Sequence, residues 1–208
     1  DVYKRQNLQK VLDYFGLSVV NGLVLEGDSS MCYQQPTYLL PEVAYDSLTN
    51  GVAGKKYIFM PYAQGITSQE TEGVSITPLL TTSASSYSKT DINQAQTVNM
   101  EDGDAAGPFD VGVHAEKTLE EGTAQLTLFT SENLFTDNAN TMVADANLTL
   151  FTNVVASMSD SEVSVSVPVK SYEASVITVN DSTAFTIGSV LMLFLPLGLI
   201  IAGIFVWA

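Results

Sequence analysis

The chain offers few side chains for covalent or metal chemistry, because it has one histidine and one cysteine. His114 lies in VGVHAEK, a strand-like stretch, and any histidine-based metal site or Ser-His-Asp triad would depend on this single ring. Cys32 would need a base beside it to act as a nucleophile, and nothing in the spacing places His114 there. We therefore expect no catalytic residues, and the lone cysteine excludes an internal disulfide.

Two glycine-bearing segments resemble ion or phosphate sites. EDGDAAGPFD (101–110) has the carboxylates that calcium prefers, but it lacks the spacing and the closing glutamate of a calcium loop. GVAGKK (51–56) has the wrong glycine spacing for a phosphate loop, and no Ser or Thr follows its lysines. The sequence therefore predicts a solvated acidic loop, no metal site and no cofactor. Asn147-Leu-Thr and Asn180-Asp-Ser fit the glycosylation sequon, which matters only in a eukaryotic host.

Charge and composition restrict the class of partner. The formal net charge is -15. The first six residues, DVYKRQ, look like a translated sequencing adapter, and the remainder contains six lysines and no arginine. Recognition of phosphates would need clustered Lys and Arg, so nucleic acid is excluded as a partner.

Hydrophobic periodicity predicts both helices and strands. Residues 7–16 have helical spacing, with Gly16 as a C-terminal cap, and 136–158 predict a helix with Leu148, Phe151, Val155 and Met158 on one face. The polar stretch 83–107 is expected to form an exposed loop or a long hairpin. The predicted strands are 55–63, 74–83, 107–117, 124–131 and 163–170, of which 107–117 and 124–131 should be neighbours.

The last 24 residues, 185–208, contain no charge. A helix of roughly 20 apolar residues crosses a bilayer core, so the sequence predicts a transmembrane helix here rather than a buried core helix. The last basic residue before it is Lys170, which places the preceding domain outside the cytoplasm and predicts a basic cluster after Ala208. We expect a single-pass protein of the cell membrane with an extracytoplasmic domain over 7–184.

Three segments together resemble one family of transporter components. LQKVLDYFGLSVVNGLVLEGD (8–28), AQLTLFTSENLFTD (124–137) and ANLTLFTNVVASMSD (146–160) are similar to motifs of GldG-like auxiliary components of ABC transporters. Thr130 and Glu132 depart from that pattern, since relatives often have Gly and Ser or Asp there, and the middle, 29–110, matches only in character. The similarity spans most of residues 7–208, and its motifs are structural rather than catalytic.

The resemblance implies an α/β fold with flavodoxin-like or glutamine-amidotransferase-like layers, a mixed sheet and no active site, followed by the membrane helix. It also implies an N-terminally truncated fragment, because the first membrane helix and the first βα units of the family are missing. The expected partners are an ABC permease, an ATPase and membrane lipid, in a system linked with gliding motility in some bacteria.

The sequence leaves three functions open. The first is a non-enzymatic accessory subunit of an ABC-type transporter. The second is a tethered bacterial cell-surface binding protein or adhesin. The third is a relative of hydrolases or amidotransferases whose catalytic residues lie in a missing N-terminal part, where a nucleophile elbow would reveal them.

Overall fold

The structure, a computed structural model, describes residues 2–90 and 98–159 together with 189, 192, 196–197 and 203–205, with side chains from Asn7 onward. The chain divides into two compact units, 1–164 and 165–208. The predicted strand 163–170 and the sequon at Asn180 lie outside the described residues.

Eleven strands and three helices form the described part of the first unit. The helices are α1 (Val2–Tyr14), α2 (Asp137–Met142) and α3 (Ala146–Met158). The strands are β1 (Leu17–Val19), β2 (Leu23–Leu25), β3 (Tyr38–Leu39), β4 (Glu42–Val43), β5 (Met60–Pro61), β6 (Ile66–Ser68), β7 (Val74–Thr81), β8 (Tyr87–Lys89), β9 (Ala105–Ala106), β10 (Asp110–Thr118) and β11 (Thr123–Phe129).

The strands form three sheets. The largest has the order β1-β6-β10-β7-β4, with β11 also paired to β10. The smaller sheets are β2-β8-β9 and β3-β5. Every strand pair in the described residues is antiparallel.

The predicted α/β class with a mixed sheet is therefore wrong, because the described fold is mostly antiparallel β-sheet with few helices. The step from the first helix into extended chain suggested a βα unit, but such a unit requires parallel strands around its helix. Here β1 instead pairs antiparallel with β6, from Leu17 opposite Ser68 to Val19 opposite Ile66.

The prediction that 107–117 and 124–131 pair is confirmed. β10 and β11 form a hairpin whose register runs from Gly112 opposite Phe129 to Thr118 opposite Thr123. Gly122, with φ +96°, adopts the left-handed conformation that glycine tolerates best in the turn. The strand predicted over 74–83 is also confirmed as β7, whereas of 55–63 only β5 is a strand.

Two clusters of buried side chains form the core. The larger cluster lies between the sheets and α3, and it includes Leu39, Ile58, Met60, Leu80 and Leu150, each fully buried. The smaller cluster holds α1 against the large sheet. Its members are Leu12, Phe15, Leu17, Ile66, Val113 and Ala115.

The helix predicted over 136–158 is two helices, because Val143–Asp145 interrupts it. Ala144 and Asp145 have φ of +48° and +62°, a left-handed conformation that ends a right-handed helix. The predicted apolar face is the outer one, since Leu148 is 52% exposed. Asn147, Leu150 and Val154 face the core instead.

The predicted transmembrane helix and the membrane localisation are corrected by the structure. Among the described residues, no helix has both the length and the apolar character needed to span a bilayer. Most of 185–208 lies outside the described residues.

Candidate functional site

His114 has contacts that suit a polar position on a strand. It lies on β10, where its Nδ1 is 2.8 Å from Thr127 Oγ1 on the paired strand β11. Its Nε2 is 3.5 Å from Glu116 Oε1. These side-chain contacts hold the ring against the two paired strands.

Cys32 lies in the loop after β2, in a setting that disfavours a thiolate. Burial, followed by the negative charges of Glu26 and Asp28, raises the pKa of the Cys32 thiol. A nucleophilic cysteine needs the opposite shift, because the thiolate is the reactive form. Glu26 itself is buried and accepts hydrogen bonds from Ser83 N and Ser83 Oγ, so it tethers the 83–86 loop to β2.

The acidic loop 101–104 is held by a buried lysine. Lys89 is 3% exposed, and its Nζ is 2.9 Å from Glu101 Oε2 and 3.1 Å from Asp104 Oδ2. Lys89 also donates to Asn99 O. A hydrogen bond from Glu101 N, together with the Lys89 charge, lowers the pKa of Asp104. The loop is exposed at Glu101, Asp102 and Gly103, as expected for a solvated loop, and two of its carboxylates also pin it to β8.

Within residues 2–90 and 98–159, no cluster of three or more His, Cys, Asp and Glu side chains could hold a metal ion. The segment 51–56 forms turns whose amides are used locally. Ala53 N donates to Thr49 O, and Lys55 N and Lys56 N both donate to Val52 O.

The residues that carry the family-like motifs hold the fold together. Ser131 is buried and its hydroxyl donates to Pro61 O, while Thr130 Oγ1 donates to Val111 O at 3.2 Å. Leu134, in the same motif, is fully buried in the larger cluster. This motif therefore joins the end of β11 to β5.

Asn147 and Asn153 of the second motif bind backbone groups from distant segments. Asn147 is fully buried; its Nδ2 donates to Phe59 O at 2.8 Å and to Leu134 O at 2.6 Å, and its Oδ1 accepts from Phe59 N at 3.2 Å. Asn153 donates to Leu48 O and Asn50 O. Because the Asn147 amide is buried and fully bonded, the sequon there is closed to glycosylation in the folded chain.

The first open surface is a groove that we call the tyrosine groove, with a volume of about 450 Å³. Tyr45 and Tyr57 line it and are 85% and 68% exposed. Lys55 and Lys56 lie beside them, and Lys56 Nζ donates to Ala144 O at 2.8 Å. Exposed tyrosines are enriched where proteins bind partners, so the groove is a candidate contact surface.

The second open surface is a smaller depression that we call the aromatic pocket, with a volume of about 190 Å³. It lies between the two-stranded β3-β5 sheet and α2. Its walls include Tyr38, Phe59 and Tyr62 from the sheet region and Asn133 and Asn138 from the α2 region. A hydrogen bond with Tyr62, and to a lesser degree loss of solvent, raises the pKa of Tyr38.

Neither surface was predicted from the sequence, although the positions of the tyrosines indicate them. Of the nine tyrosines in the chain, five lie between residues 31 and 62, and four of those five are exposed. Exposed tyrosines are enriched where proteins bind partners. What the sequence lacked was the pairing of β3 with β5, which brings Tyr38 and Tyr62 together.

Comparisons with known proteins inform the fold. No family model matches the chain, and no curated protein matches it. Among solved structures, the chain is similar to the mmIFT52 N-terminal domain, with a TM-score of 0.50 and 14% identity over 76% of this chain. The chain spans 60% of that structure. At this identity the likeness concerns the fold alone.

Proposed function

We propose that this chain is a non-enzymatic accessory subunit of an ABC-type transport system that works with a separate permease and a separate ATPase. The proposal rests on the resemblance of the motifs at 8–28, 124–137 and 146–160 to GldG-like auxiliary components. The structural observation that carries it is the tyrosine groove, which offers such a subunit a surface for contact with a partner.

The groove suits a protein partner that presents a carboxylate next to an apolar side chain. Exposed tyrosines contribute large contact areas at a low entropic cost, because few rotatable bonds are fixed on binding. Lys55 and Lys56 outnumber Glu42, the acidic residue that also lines the groove, in a chain whose formal net charge is -15. Charge complementarity then selects an acidic segment and speeds its association.

A pull-down of the full chain, co-expressed with the proteins encoded by its neighbouring genes, tests the proposal. We expect a permease and an ATPase to co-elute, and we expect Tyr45→Ala combined with Tyr57→Ala to lower their recovery about tenfold. Lys55→Glu should also lower the recovery of the permease and the ATPase. Lys10→Glu is the matched control, because Lys10 is also an exposed lysine but lies on α1, outside the groove.

Two outcomes contradict the proposal. One is a gene neighbourhood that encodes neither a permease nor an ATPase. The other is equal recovery of the partners by the wild type and by the double tyrosine variant.

A cell-surface binding protein of the adhesin class is the second candidate. The aromatic pocket favours it, because a pocket about the size of one small ring suits a ligand better than a subunit interface. Neighbouring genes separate the two candidates, since an adhesin or cell-wall locus supports the second.

A further inference from the structure

The aromatic pocket is framed by perpendicular rings. Tyr38 lies 5.3 Å from Phe59, at an interplanar angle of 84°, and 5.5 Å from Tyr62, also at 84°. Phe59 is buried and forms the floor, whereas Tyr62 is 43% exposed at the rim. The face of an aromatic ring carries negative charge density and attracts weakly positive C–H groups.

Asparagine amides supply the polar part of the wall. Asn133 and Asn138 both line the pocket, and neither side-chain amide forms a hydrogen bond with another group in 2–90 or 98–159. An amide both donates and accepts, so it can match both properties of a hydroxyl group. Thr136 lines the pocket too, but its hydroxyl caps α2 by accepting from Ala139 N.

Charge is missing from the walls. The residues that line the pocket are Tyr38, Phe59, Pro61, Tyr62, Asn133, Thr136, Asn138, Ala139 and Met142, and none of them carries a formal charge. In a chain with a formal net charge of -15, a neutral wall with aromatic faces and amides is suited to an uncharged ligand with both hydroxyl and C–H surfaces.

Backbone strain occurs at the rim of the same pocket. Tyr62 has φ +56°, a left-handed conformation that costs free energy for a bulky residue and in which Asn or Gly is better tolerated. Its amide donates to Thr37 O at 2.9 Å, which fixes this conformation. Strain of this kind clusters at functional sites, where the surrounding structure holds a side chain in place.

We propose that the aromatic pocket binds one neutral pyranose ring of a saccharide. The C–H face of the sugar lies on the ring of Tyr62, which stands at 84° to the ring of Tyr38, and its hydroxyl groups bond with Asn133 and Asn138. The pocket volume of about 190 Å³ lies below the roughly 300 Å³ at which pockets for drug-sized ligands begin, so it holds one small ring. A proline-rich peptide would need an extended groove instead.

This proposal is independent of the transporter assignment, because the aromatic pocket and the tyrosine groove share no lining residue. Saturation-transfer NMR on the full chain tests it with the methyl glycosides of glucose, galactose, mannose and N-acetylglucosamine. A proline-rich decapeptide is the competing probe. We expect at least one glycoside to receive saturation at its ring C–H protons, with a Kd of about 1 mM, and the decapeptide to receive none.

Three variants locate the binding. Tyr62→Asn keeps a residue type that tolerates the left-handed conformation but removes the ring, so we expect an unchanged or higher Tm and at least a tenfold weaker Kd. Asn138→Ala should weaken binding about fivefold without a change in Tm. Tyr14→Ala removes an exposed tyrosine on α1, outside both the pocket and the tyrosine groove, and should leave the Kd unchanged.

Three results would overturn the saccharide proposal. The first is no saturation transfer to any of the four glycosides. The second is binding that both Tyr62→Asn and Asn138→Ala leave unaltered. The third is binding of the decapeptide that Tyr62→Asn abolishes.

Discussion

Two pairs of asparagines between residues 133 and 153 have opposite roles. The side-chain amides of Asn147 and Asn153 form hydrogen bonds with backbone groups of the chain itself, at Phe59, Leu134, Leu48 and Asn50. Asn133 and Asn138, only a few positions earlier, line a surface pocket, and their amides have no partner among the described residues. The same functional group is therefore structural in one pair and open to a ligand in the other.

Burial accounts for this difference. A buried amide must find partners inside the protein, because an unsatisfied polar group without water costs free energy. An exposed amide can bond with water until a ligand replaces it. Asn147 and Asn153 are therefore structural residues, whereas the amides of Asn133 and Asn138 are available to a ligand.

Removal of the Asn147 amide should have the largest effect. Asn147→Ala leaves Phe59 N, Phe59 O and Leu134 O without partners in the core, so we expect a loss of about 3 to 5 kcal/mol in the free energy of unfolding, measured by urea denaturation. Asn147→Asp keeps the shape but directs a carboxylate at two carbonyl oxygens, and it should also destabilise strongly. A loss below about 1 kcal/mol for Asn147→Ala would contradict a structural role.

Asn153→Ala should have a smaller effect of the same kind. Asn153 is half-buried, so water can reach Leu48 O and Asn50 O after the truncation. We expect a loss of about 1 kcal/mol in the same urea measurement. A loss in the free energy of unfolding equal to that of Asn147→Ala would show that the different burial of the two residues does not determine the size of the effect.

The loop held by Lys89 extends the comparison to charged groups and adds a pH dependence. The folded-state pKa of Asp104 lies below its ordinary value of 3.8. Its ionised form therefore contributes stability that is fully present above that value and is lost as the pH falls through the lowered pKa. Asp104→Asn should be less stable than wild type at pH 7, and the two should converge in acid unfolding below pH 3.8. A gap that persists at the lowest pH would show that the charge of Asp104 is not its cause.

The smallest expected effect is at the pocket. Asn138→Ala and Asn133→Ala should each change the free energy of unfolding by less than about 0.5 kcal/mol, because neither amide bonds with the described chain. Thermal unfolding followed by circular dichroism checks this. A large loss for either variant would mean that the amide stabilises the fold, and the contrast with Asn147 would fail.

Local periodicity determined part of the fold. The hairpin of β10 and β11 and the strand β7 followed from alternating side chains, because such alternation depends on neighbours within one segment. The helical pattern after residue 136 was real, but it did not reveal the left-handed break at Ala144 and Asp145 or show which face is buried. A helix with apolar residues on two sides gives no local signal of the side that packs.

Only the tertiary structure decided the sheet topology and the candidate site. Strand direction depends on which distant strands meet, so the helix followed by β1 could not show that β1 pairs antiparallel with β6. Asn147 and Asn138 are the same residue type nine positions apart, and nothing local distinguishes them. Asn147 becomes structural because Phe59, 88 residues away, lies against it in the core, whereas Asn138 reaches the surface opposite Tyr62.

The sequence by itself determined the local alternation, the acidity and the scarcity of catalytic side chains. Long-range packing determined which polar groups form hydrogen bonds within the protein and which remain open to a ligand.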